Sequence, residues 1–341
     1  MSITLTSSAG SGTAPGVAPG AGSSAGSATL RPAVAGAPRL LRLTLVAMVV
    51  LAAVSAVGLV VDDRTLLGDP IWLKPLKFSV SIAVYGATVA WLVSLLPASS
   101  RGARRLTALI AVTMLVEATA IVVQVIRGRR SHFDVATPFD ALVFSTMGVV
   151  IAVAWVATAG LGLLLLRQAL PDAATATAVR TGTAVALAGM AVGFLMTRPT
   201  PGQLAGGPPT TVGAHSVGVP DGGPGLPLVG WSTTGGDLRI AHFVGLHTLQ
   251  LLPLVAFALA RTARRWPALR PAPVRVRLIR VAAAGQAGLV VLLTWQALRA
   301  QALLRPDAVT LVAAAGLALG IGAATLAVVA AATRSPAPQL R

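Results

Sequence analysis

The stretch 240–280, IAHFVGLHTLQLLPLVAFALARTARRWPALRPAPVRVRLIR, sets an apolar run against a block of arginine. Its first 21 residues contain two histidines and no charged side chain, enough to cross a hydrocarbon core of about 30 Å as one helix. Arg261, Arg264, Arg265, Arg270, Arg275, Arg277 and Arg280 follow at once. A membrane span ending in a cytoplasmic basic loop has this form, because Lys and Arg accumulate on the inner side.

Working outward, seven more runs have the length and apolarity of a span: Leu43–Val61, Leu76–Leu96, Leu106–Ile126, Ala141–Leu166, Thr181–Thr197, Val281–Leu298 and Val309–Ala332. The pattern predicts an all-α, polytopic transmembrane helix bundle of about eight helices over residues 39–333. Composition agrees. Of 341 residues, 55% are hydrophobic and 11% charged, with a mean hydropathy of +0.80. A water-facing exterior needs roughly a quarter of its residues charged, so the lipid bilayer is the expected partner.

With the N-terminus inside, the cytoplasmic stretches hold 17 of the 27 basic residues, and the outer stretches hold eight of the ten acidic ones. Both termini are therefore expected in the cytoplasm, and the plasma membrane is the expected location. The same rule explains the net charge of +17 without nucleic acid, since no aromatics interleave the basic positions. The chain has no cysteine, which excludes disulfides, thiolate metal sites and a cysteine nucleophile.

Residues 1–38 are rich in Gly, Ser, Ala and Pro and read as a disordered tail, with a misplaced start codon as the alternative. Residues 334–341 read as a short cytoplasmic tail. Val54-Ser55-Ala56 has the form of a cleavage site, but the apolar run continues to Val61, which favours an uncleaved first helix. The Gly/Pro-rich segment 198–238 is expected as a long outer loop.

Three spans carry polar stripes, which must face a bundle interior or a wet cavity. Lys74, Lys77, Ser81, Tyr85 and Thr88 share one face of the second; the chain's two lysines are both here. Thr113, Glu117 and Gln124 line the third, and Arg239, His242, His247 and Gln250 the sixth. Glu117 lies nine residues before Ile126, about 13 Å below the outer end of its helix. A carboxylate there costs about 2.5–3.5 kcal/mol on insertion scales and needs a partner or a proton. Tyr85 and His247 fall at similar depth, so a Glu117–His247–Tyr85 cluster is expected if the helices are neighbours. The plainer alternative is a protonated Glu117 bonded to an adjacent helix.

Metal chemistry has weak candidates in His132, His242 and His247. On one straight helix His242 and His247 stand about 140° apart, and no HExxH spacing occurs. A haem has little support from four histidines, and no cofactor is assigned. His132 and His215 are expected in solvent. Asp140 is expected to cap the fourth span, and Asp134 and Asp140 to pair locally with Arg129 and Arg130. No phosphate-binding loop, dinucleotide fingerprint or nucleophile elbow is present, and no inverted repeat is evident.

The runs GDPIWLKPLKFSVSIAVYG, RGRRSHFDVATPFD and GGDLRIAHFVGLHTLQ resemble a set of multi-pass membrane proteins common in GC-rich actinobacteria. The resemblance covers about residues 60–300 and implies the membrane class without an activity. Three function classes follow. The first is binding or transport of a small molecule, lipid or ion through a polar cluster open to the outer side. The others are an intramembrane metal-dependent or acid/base enzyme acting on a lipid, and a structural or assembly role.

Overall fold

Long runs of Leu, Val, Ile and Ala leave the backbone no partner in lipid except itself, so the spans become helices. The computed structural model describes residues 30–206 and 209–334. Eleven α-helices occur among them: α1 (Leu30–Ala35), α2 (Arg39–Val61), α3 (Leu73–Ser94), α4 (Arg101–Ile126), α5 (Pro138–Leu166), α6 (Ala173–Met196), α7 (Pro201–Ala205), α8 (Leu238–Leu246), α9 (Thr248–Thr262), α10 (Ala272–Leu298) and α11 (Ala308–Arg334). Seven are long and apolar enough to cross a membrane, and α8 with α9 reaches that length and apolarity only as a pair, bent by 42°. The chain is a helical bundle and a multi-pass membrane protein.

Several expectations need correction. The sixth span is not one straight helix. It breaks at His247, which ends α8 and starts α9. Gly245 packs on Gly189 so closely that a Cβ on Gly189 would lie 2.4 Å from the Gly245 Cα, which seats α8 directly on the α6 backbone. Leu30–Ala35, expected within the tail, is helical, and Ala33 is buried. Most of that tail, residues 1–29, and residues 335–341 of the C-terminal tail lie outside the described residues. The fourth span is capped by Thr137, whose hydroxyl accepts from Asp140 N, so Asp140 sits one turn inside rather than at the cap. The fifth span, expected to be short, begins at Ala173 because Asp172 accepts from Ala174 N and Thr175 N.

The bundle has two parts. Helices α2, α3 and α4 pack on one another with α5 against α4, and α6, α8–α9 and α10 pack on one another with α11 against α10. Helix α5 also contacts α6. Val89, Ile110, Ala154 and Ala157 form the tight centre of the first part, and Ala178, Leu252 and Ile279 lie within the second. Large apolar side chains such as Val312, Leu319 and Leu326 on α11 point outward, as a lipid-facing surface requires.

All four long connections meet at one end. Strand β1 (Thr65–Leu66) pairs with β2 (Asp69–Pro70), and β3 (Ser216–Val217) with β4 (Gly236–Asp237). Asp134 bridges to Thr211, and Val212 N donates to Phe133 O. These loops form an interlocked cap, and the other end carries the arginine-rich turns.

Candidate functional site

The cap brings a loop histidine to the buried carboxylate. Glu117 on α4 is 2% exposed, and its Oε1 lies 3.5 Å from His132 Nε2. The other oxygen, Oε2, is buried without a hydrogen-bond partner. On the far side of the ring, His132 Nδ1 is 3.1 Å from Lys74 Nζ and 3.1 Å from Ser131 Oγ. With Lys74 charged, its ammonium can only donate, so Nδ1 then accepts and the ring proton is on Nε2, facing Glu117. Lys74, His132 and Glu117 thus form a line of exchangeable groups from the cap into the helix interior.

The local chain explains the placement. Arg127 ends α4, Gly128 turns the backbone at φ 68°, and the loop folds back over the helix end. Phe133 adopts φ 67°, a left-handed conformation rare for a bulky side chain and costing about 1–3 kcal/mol. Its ring is buried against Phe144 at 5.6 Å and His215 at 4.8 Å, and these contacts hold the turn that aims His132 inward. Phe78 lies on the other side of His132, with ring centroids 5.6 Å apart.

His132 is therefore not a solvated loop residue. Burial, with the Lys74 charge and His215 added, lowers its pKa, so its contact with Glu117 is made by a neutral imidazole. His215, also expected in water, is bonded at Nδ1 to Asp221 Oδ2, 3.0 Å away. Burial lowers its pKa as well, against the raising effect of Asp221.

The expected Glu117–His247–Tyr85 cluster does not form. Tyr85 Oη pairs with Thr158 Oγ1 on α5 at 2.5 Å. His247 meets Phe243 at a tilt of 59°, with centroids 4.2 Å apart. Its polar side-chain neighbour is Gln250, and buried His247 Nε2 and Gln250 Oε1 have no well-formed hydrogen bond. Gln250 Nε2 reaches Thr88 Oγ1 at 3.0 Å, so the stripes on α3 and the sixth span do meet, but deeper than Glu117. His242 Nδ1 donates to Gly189 O at 2.9 Å. Among the described residues no three His, Asp or Glu side chains converge as a metal would require.

Gln124 is bonded within the protein. Its Nε2 donates to Arg130 O and to Asp140 Oδ1, and Arg127 Nη1 bonds both its Oε1 and Asp140. The ion partner of Asp140 is thus Arg127, not Arg129 or Arg130, while Asp134 accepts from Ala136 N. Lys77 Nζ donates to Val229 O at 3.3 Å. An open cleft of about 320 Å³ lies on the cap between Leu66, Arg129, Arg130, Asp134 and Thr210. Lys74 was the residue easiest to overlook, because a lysine at a helix start reads as an interfacial anchor. Its signal was that a chain otherwise using arginine spends both lysines on one face. Comparison of the chain with protein-family models, curated proteins and solved structures gives no match.

Proposed function

We propose that this membrane protein binds, and carries into the bilayer, a small polar molecule or ion taken from the cap side at Lys74, His132 and Glu117. The observation that carries the reading is Glu117 Oε2, a carboxylate oxygen buried without a partner beside a neutral histidine and a lysine. A buried unsatisfied acceptor costs roughly 1–3 kcal/mol, more for a charged group. A bound ligand proton, ammonium or cation would remove that cost. The arginine-rich turns at the other end support the cap as the outer face of a plasma membrane.

A purely structural carboxylate would have both oxygens satisfied by neighbouring helices, as Asp140 has. The test is thermal unfolding of the detergent-solubilised protein against amino acids, monocarboxylates, inorganic phosphate and alkali-metal ions. At least one class should raise the Tm of the wild type and fail to do so for Glu117→Gln. If every stabilising probe acts equally on both proteins, the reading is wrong.

A further inference from the structure

Three sequence pairs recur at matching structural positions. Ala56-Val57-Gly58 near the end of α2 matches Ala191-Val192-Gly193 near the end of α6. Helix α3 opens with Leu73-Lys74 and then Lys77-Phe78, and α8 opens with Leu238-Arg239 and then His242-Phe243. Gln124 and Arg127 end α4 as Gln296 and Arg299 end α10.

The last pair also shares a set of bonds. Gln124 Nε2 donates to Arg130 O, and Gln296 Nε2 donates to Ala302 O, six residues on in each case. Gln124 O accepts from Arg129 N, and Gln296 O from Gln301 N. The residue after each arginine is left-handed, Gly128 at φ 68° and Ala300 at φ 58°. Each arginine then pairs with an aspartate at the start of the next helix, Asp140 or Asp307, at 2.5 Å. Helix order and packing are matched as well, so the two parts share one four-helix arrangement in which the bent pair α8–α9 stands where α3 stands in the first. Glu117 and His132 correspond to Leu289 and Leu304, so both halves share the scaffold and only the first carries the pair.

Equivalent helices of the halves, α3 and α8–α9, meet. Lys77 bonds Val229 O just before α8 and interacts electrostatically with Asp69, Arg239 and Asp237. Thr88 and Gln250 are hydrogen-bonded further in. At that level the sixth span breaks, and His247 has Gln250 as its polar neighbour, while His247 Nε2 and Gln250 Oε1 are buried without a well-formed hydrogen bond. Buried polar atoms are nearly always satisfied, by water where protein fails. In transporters built from repeats, a broken helix at the repeat interface marks the ligand path.

We propose that the seam between α3 and the broken α8–α9 span is a water-accessible path, running from a mouth at Lys77 and Arg239 to Thr88, His247 and Gln250. Only the identity of what travels along it rests on the ligand reading above. The experiment uses the cysteine-free full chain in membranes and a charged methanethiosulfonate reagent. Thr88→Cys and Gln250→Cys should label at least ten-fold faster than Val312→Cys on the outward face of α11, with Leu204→Cys in the cap as the positive control. Labelling of both no faster than Val312→Cys, with Leu204→Cys reactive, overturns the path. Should a substitution prevent assembly, hydroxyl-radical footprinting of His247 in the unsubstituted protein decides. Modification there supports the path, and protection overturns it. Labelling that persists in a Glu117→Gln background supports the path even if ligand stabilisation is lost, so the two readings fail separately.

Discussion

Nε2 of His132 lies 3.5 Å from Oε1 of Glu117, although one residue belongs to a loop and the other to the middle of the helix before it. The loop reaches that depth because the chain reverses at Gly128 and Phe133 anchors the return. Loop and helix therefore bring these two side chains to one place.

This contact ranks the histidines. His132→Ala should abolish ligand-induced thermal stabilisation as fully as Glu117→Gln does, since it removes both the group facing Glu117 and the acceptor of Lys74. His242→Ala should lower stability alone, by roughly 1 kcal/mol for a lost hydrogen bond to Gly189 O. A ligand response that survives His132→Ala and disappears with His242→Ala would reverse the assignment.

The duplicated arginine brackets should differ in strength. Asp140 is fully buried, and the Arg127 side chain is 33% exposed, whereas the Arg299–Asp307 pair is 34% and 39% exposed. Removing one partner of a buried pair costs about 3–5 kcal/mol, and partial exposure of Arg127 brings the expected loss for Asp140→Ala to roughly 2–3 kcal/mol. Asp307→Ala should cost clearly less, because that pair is screened by solvent. Chemical unfolding of the two variants side by side checks the order.

Much of the fold could be read from periodicity and charge. Apolar runs of about 20 residues have few alternatives to helix, and each of the eight expected spans overlaps an observed helix or the bent pair. The break at His247 lies between Gly245, which packs on Gly189, and Pro253 inside α9, and neither residue argues against a continuous membrane helix. The site was half legible. The cost of burying Glu117 identified that residue, but its partner came from a loop whose polar sequence, RGRRSHFD, looks solvated. Angular counting along a straight sixth span pointed to His247 instead, and the break voids that count. The likeness of the two halves escaped notice because they share a few bracket residues rather than a long identical run, and the first-half loop 62–72 corresponds to the far longer 197–237.

Sidedness rests on charge and has a direct check. Leu204→Cys lies in the cap and is 71% exposed at the native leucine, and Arg264→Cys lies in the exposed turn after α9. On intact cells an impermeant maleimide should label the first and spare the second until the membrane is opened. Labelling of Arg264→Cys alone would invert the orientation and put the cap inside.

The cap should loosen in acid, and the sign follows from its titrating groups. Asp221 accepts from His215 N and Ser216 N and from the His215 ring. Burial raises its pKa, but these bonds outweigh burial and hold it below the usual carboxylate range. Its stabilisation is present above its unfolded value, about 3.9, and is lost only as pH falls below that. His215 and His132 are both lowered, chiefly by burial. For a lowered histidine the unfolded loop binds protons first, so its stabilisation is complete above about pH 6.5 and declines as pH falls toward the folded pKa. Between pH 7.5 and 5.5 the histidines should dominate, and the Tm should fall. A His132→Gln, His215→Gln double variant should start less stable and show a flatter profile over that window. A wild-type Tm that rises on acidification would show that the two lowered histidines do not govern the stability of the cap over this window.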